Sequence, residues 1–79
     1  MAMTNQNQND EATRLIAQRD ELRARLEAIR TDLRQPLDAD SEERAIQLEN
    51  REVLEGIARA ATEELARVEH KLAQLKAGH

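Results

Sequence analysis

The sequence predicts an all-α fold, an antiparallel two-helix coiled-coil hairpin. Three observations carry that prediction. Aliphatic residues recur at alternating spacings of three and four in two long runs, as they do along one face of a helix that packs on another. The only proline, Pro36, stands between the two runs in a short acidic stretch. Aromatic residues are absent and thirteen of the apolar residues are alanine. The 79 residues therefore supply one aliphatic seam and too few large side chains to enclose a pocket.

Residues 1–9 are polar and aperiodic and are expected to form a disordered lead-in to a hairpin that occupies residues 10–79. Helix 1 is expected over about 11–34. Asn9 or Asp10 has the chemistry of its N-cap, and Glu11 suits the positive end of the helix dipole. Ala12, Leu15, Arg19, Leu22, Leu26, Ile29 and Leu33 follow at the seam spacing, with Arg19 as one charged interruption. Pro36 disfavours the α region for Gln35, which ends the helix near Arg34 and makes 35–40 the turn.

Helix 2 is expected over about 41–77, with Asp40 or Ser41 as its cap. Asp40 and Glu43 have the spacing of a capping box, and Glu42 also favours the first turn. Its inner face reads as Ile46, Val53, Ile57, Ala61, Leu65, Val68, Leu72 and Leu75. Two consecutive spacings of four, Ile57 to Ala61 to Leu65, predict a stutter that locally unwinds the supercoil. Gly56 costs mid-helix stability and marks either close packing or a bend.

So short a turn makes the helices antiparallel neighbours. Folding at Pro36–Asp40 sets Ile29 near Asn50, Leu26 near Val53, Leu22 near Ile57 and Leu15 near Leu65. On these bounds helix 1 spans roughly 36 Å and helix 2 roughly 55 Å. The end of helix 2 is thus expected to overhang, leaving Leu72 and Leu75 for more chain, a second copy or another protein.

Composition excludes several function classes. Twelve basic and sixteen acidic residues alternate along the chain, for a net charge of −4. That mixture suits solvated helix faces, not a nucleic-acid footprint, and without aromatics there is no platform for base stacking. Without cysteine there is neither a disulfide nor a thiolate metal site. No membrane span or signal-peptide pattern is present, so the expected location is cytoplasmic. No phosphate loop, nucleophile–base pair or metal-ligand spacing appears. An enzyme is not expected, and no catalytic residue or cofactor is assigned to this chain.

Function is expected at the turn, where Asp38, Asp40, Glu42 and Glu43 fall within six residues. Capping and dipole compensation account for Asp40, Glu42 and Glu43 without any further role. The functional reading is an acidic probe directed at a basic surface or a bound metal on a partner. Weak cation binding also suits four carboxylates, although the loop lacks the glycine and ligand spacing of an EF-hand. His70, between Glu69 and Lys71, reads as solvated, the terminal His79 as a chain end, and Ser41 as a cap. Arg19 is expected to snorkel from the seam toward Glu63 and Glu64.

The run Asp40-Ser41-Glu42-Glu43-Arg44-Ala45-Ile46-Gln47 resembles the coiled-coil tip of the DksA/TraR family, bacterial transcription regulators that bind RNA polymerase. That family carries Asp-x-x-Asp-x-Ala at its tip, often followed by Gln and a long charged helix. Asp40 matches the first acid and Ala45 the alanine, while Glu43 stands where the family has its second Asp. The ending Leu75-Lys76-Ala77-Gly78-His79 lies about where the family's Gly-x-Tyr-Gly-x-Cys segment opens a four-cysteine zinc finger. The resemblance implies a coiled-coil segment without that finger, with zinc expected only in a longer parent protein.

It further implies a non-enzymatic regulator whose coiled coil enters the secondary channel of bacterial RNA polymerase to modulate initiation, often jointly with ppGpp. Asp40, Glu43 and Ala45 would then sit close to the polymerase catalytic region, with Asp38 and Glu42 on the same tip. Two other readings stay open. A Gre-type transcript cleavage factor would use tip carboxylates to hold a second Mg²⁺. A structural coiled coil would form a homo-oligomer in which Leu72 and Leu75 cover each other's overhangs.

Overall fold

The computed structural model describes the backbone of residues 2–77 and the side chains of residues 10–77. Readings that fell on Met1, Gly78 and His79 lie outside the described residues. Two helices, α1 (Ala2–Leu33) and α2 (Ser41–Ala77), run antiparallel and are joined by residues 34–40. The hairpin is a rod, with Cα extents of 65 × 14 × 13 Å.

The first helix begins at Ala2, well before Glu11, so the polar stretch expected to be a disordered lead-in continues α1. Neither proline nor glycine interrupts residues 2–33, and extending an existing helix gains one hydrogen bond per residue fixed. Asp10 is consequently an interior helical residue, and the N-cap expected at Asn9 or Asp10 does not form. At its other end α1 tightens before Pro36. Arg34 N–H is shared between the carbonyls of Arg30 and Thr31 at 3.1 and 3.2 Å, and Gln35 N–H donates to Asp32 at 3.2 Å. Those three-residue closures satisfy part of the helix end where proline prevents another α turn.

The α1 seam is the expected one. Leu15, Leu22, Leu26 and Ile29 are buried, while Ala12, Arg19 and Leu33 are half-buried. Its deepest members, Leu22 and Leu26 at 4% and 3% exposure, belong to one apolar cluster with Ala58, Ala61 and Val68. Leucines on α1 thus meet alanines on α2, a large-to-small match that lets two helices pack closely with no third layer.

On α2 the expected inner face holds only from Ala61 onward. Ile46, Val53 and Ile57 are exposed by 51%, 61% and 44%, which overturns their assignment to the seam. The half-buried positions in that region are Gln47, Arg51, Leu54, Gly56 and Ala58, and of these Gln47, Arg51, Leu54 and Ala58 keep the seam spacing. With Ala61, Leu65, Val68, Leu72 and Leu75 they form an unbroken series of alternating fours and threes. No stutter occurs. A Cβ on Gly56 would meet nothing within 4 Å, so that glycine does not serve close packing.

This changes the register. The Leu26–Val53 and Leu22–Ile57 pairings do not form, since both α2 residues face outward. Asp32 and Gln35 instead line a cleft with Gln47, Asn50, Arg51 and Leu54, which sets the end of α1 about one helical turn further along α2 than expected. The cause is the connection, which folds back over the first two turns of α2 before meeting α1. Lower on the rod, Leu15 and Val68 line one cleft, Gln18 Nε2 donates to Glu64 at 3.0 Å, and Arg23 pairs with Glu69 at 2.7 Å.

The overhang is also corrected. With α1 extended to Ala2, Leu72 and Leu75 are half-buried and pack on the main cluster. Arg19 does not reach Glu63 or Glu64. It lies against Asp20 at 3.1 Å, and Glu64 accepts from Gln18 instead.

Candidate functional site

The rod presents a different chemistry at its closed end. Asp40 is the N-cap of α2, its Oδ1 accepting the amides of Glu42 at 2.9 Å and Glu43 at 3.3 Å. The Asp40 carbonyl accepts Arg44 N–H at 2.9 Å, the first α-helical bond of α2. One aspartate therefore satisfies two of the otherwise unpaired amides of the helix start. Ser41 is the first residue within α2 and not its cap.

The expected capping box is only half realised. In the complete box the Glu43 carboxylate would accept the Asp40 amide. Here that amide donates to Asp38 Oδ1 at 2.9 Å. Asp38 is itself held by α2. Its own amide donates to Gln47 Oε1 at 2.6 Å, and its carbonyl accepts Arg44 Nε at 3.2 Å. Arg44 Nη2 also donates to the Ala39 carbonyl at 3.0 Å, and Arg51 Nη2 donates to the Gln35 carbonyl.

The tip is thereby sorted into two groups. Asp38 and Asp40 each commit one carboxylate oxygen to backbone amides. Glu42 and Glu43 have no hydrogen-bond or ion-pair partner for their carboxylates among the described residues. All four acids and Ala45 are exposed. Arg44, the one cation within residues 38–45, spends its guanidinium on two backbone carbonyls, so no ion pair neutralises the acidic face. No three His, Cys, Asp or Glu side chains are grouped closely enough to hold a metal among the described residues. The structure therefore does not bring the four carboxylates together as a cation site.

Arg51 lies outside the tip as read from sequence, and Arg44 and Gln47, although within the run 40–47, carry no assigned role there. A signal was present, because Gln47 and Arg51 continue the Leu54–Ala58 spacing back toward the turn. Polar residues at seam positions beside a loop can satisfy the carbonyls and amides that the loop leaves unpaired. His70 is exposed, and no helix of the described residues is long and apolar enough to cross a membrane.

A family model described as DnaK suppressor protein-like, N-terminal domain, matches residues 11–75. The chain belongs to this DksA-like family. The match covers most of the chain and takes in both seams and the complete tip, so the resemblance carried by residues 40–47 lies within a domain-length match. Neither the curated proteins nor the solved structures contain a match to the chain. The two-helix coiled-coil hairpin is accordingly the fold of a DksA-like N-terminal domain, with the capped acidic loop at its closed end.

Proposed function

We propose that this DksA-like hairpin regulates transcription by carrying its acidic tip into the secondary channel of bacterial RNA polymerase, where it modulates initiation. Asp40, Glu43 and Ala45 form the effector face, flanked by Asp38 and Glu42. The observation that carries this reading is the pairing of a narrow rod, 65 Å long and 14 × 13 Å across its Cα atoms, with unneutralised carboxylates at its closed end. A rod of that shape enters a passage closed to a globular domain, and its acids act on a basic, magnesium-containing site through Coulomb forces that strengthen as water is excluded. The action is non-enzymatic, runs jointly with ppGpp where that nucleotide is bound to polymerase, and uses no cofactor in this chain.

A Gre-type cleavage role is less well supported, because it requires acids converging on Mg²⁺, whereas Asp38 and Asp40 turn toward the backbone. The test is retention of RNA polymerase by the chain, paired with initiation assays, for the native protein and Asp40→Asn. The amide oxygen of asparagine keeps the cap while the charge is lost. A variant that still binds but no longer regulates supports the reading; full regulation by Asp40→Asn sinks it. Absence of binding in every form would make the oligomerising coiled coil the better account.

A further inference from the structure

Glu43 has the spacing of a capping-box partner for Asp40 yet is not used as one, and the reason is visible in the loop. Asp38 occupies the place at the Asp40 amide, 2.9 Å away, that a box glutamate would take. Asp38 holds that place because two of its backbone atoms are fixed from α2, the amide by Gln47 at 2.6 Å and the carbonyl by Arg44 at 3.2 Å. These contacts form a relay from Gln47 through Asp38 to Asp40 that completes the helix cap without Glu43.

We infer that Asp38, held by Gln47, is a positioning residue that occupies the Asp40 amide and so releases the Glu43 carboxylate for the partner. The inference rests on the reading of the tip as the effector face. It assigns Asp38 an indirect role, since its charge is not what the partner meets. Without the Asp38 carboxylate, the Asp40 amide has one ready replacement acceptor three residues on, and Glu43 folds back onto its own helix start. An exposed helix cap of this kind is chemically equivalent in its new form, so helix content stays the same while the presented charge is withdrawn.

The experiment uses the full chain, labelled for through-hydrogen-bond NMR couplings, as native protein, Asp38→Ala and Asp38→Asn. In the native chain the Asp40 amide nitrogen couples to the Asp38 carboxylate carbon. In Asp38→Ala that coupling moves to the Glu43 carboxylate carbon, with helicity unchanged, whereas Asp38→Asn keeps an acceptor at position 38 and leaves Glu43 released. In the initiation assay Asp38→Ala loses regulation by about fivefold, the population shift set by one ordinary side-chain hydrogen bond, and Asp38→Asn restores it. If the native chain regulates but the coupling does not move to Glu43 in Asp38→Ala, the positioning role is overturned and the effector reading stands. If the coupling moves as expected but neither native nor variant chain affects initiation, the effector reading falls and takes this role with it.

Discussion

Gly56 offers the sharpest test of the packing. It lies in the interior of the 37-residue helix α2, with no positive φ, and beyond its own local backbone nothing stands within 4 Å of where a Cβ would be. Replacing it with alanine therefore adds a methyl group into open space and removes the entropic penalty of a glycine in a helix, about 0.8–1.0 kcal/mol. Unfolding entropy of roughly 2 cal/mol/K per residue converts that gain into a rise in Tm of about 5–6 °C for a chain of this size. Thermal unfolding of native and Gly56→Ala chains followed by far-ultraviolet circular dichroism measures the shift directly. A Tm that stays level or falls would mean that a neighbouring surface approaches position 56. The alignment of α2 with Gln47, Arg51, Leu54 and Ala58 toward α1 would then be wrong.

Three further outcomes follow from the same structure. Asp40→Ala, which removes the acceptor for two amides, should lower stability by about 1 kcal/mol, whereas Asp40→Asn stays within a few tenths; paired urea titrations separate them. Leu26→Ala, at a position only 3% exposed, should cost about 2–4 kcal/mol and visibly reduce helicity at ambient temperature, and a loss below 1 kcal/mol would contradict its place at the centre of the seam. Val53→Lys, on the outward face at 61% exposure, should change stability by no more than about 0.5 kcal/mol in the same titration. A large loss there, accompanied by dissociation in sedimentation velocity, would favour the oligomerising coiled coil.

The hairpin, its all-α class and the α1 seam were legible in the sequence because Leu15, Leu22, Leu26 and Ile29 are large, aliphatic and evenly spaced. The upper half of α2 was not, for a specific reason. Ile46, Val53 and Ile57 form an apolar series one residue ahead of the true seam, and hydropathy favours them over Gln47, Arg51 and Ala58. Joining that series to Ala61 and Leu65 produced a stutter that the helix does not contain. What decided the matter was the need of the loop backbone for partners: Gln47 and Arg51 face inward because Asp38 and Gln35 present an amide and a carbonyl there. The acids of the tip were legible as residue types. Their division into two that cap and two that remain unpaired was not, because a capping-box spacing at Asp40 and Glu43 is silent about a competing aspartate two residues upstream.

The seam is also uneven along its length. Leucine, valine and alanine contacts concentrate between Leu15–Leu26 and Ala58–Leu75, while the turns next to the loop rely on exposed hydrogen bonds from Arg44, Gln47 and Arg51. Apolar burial resists local opening, whereas solvent-exposed polar contacts exchange readily with water. Amide protons should therefore exchange slowest around Leu22 and Ala61 and progressively faster toward the closed end. The rod then behaves as a stiff handle with a soft point: its last two turns can open and re-form against a surface while the remainder stays folded, so the tip can be reshaped on contact at a fraction of the free energy of global unfolding.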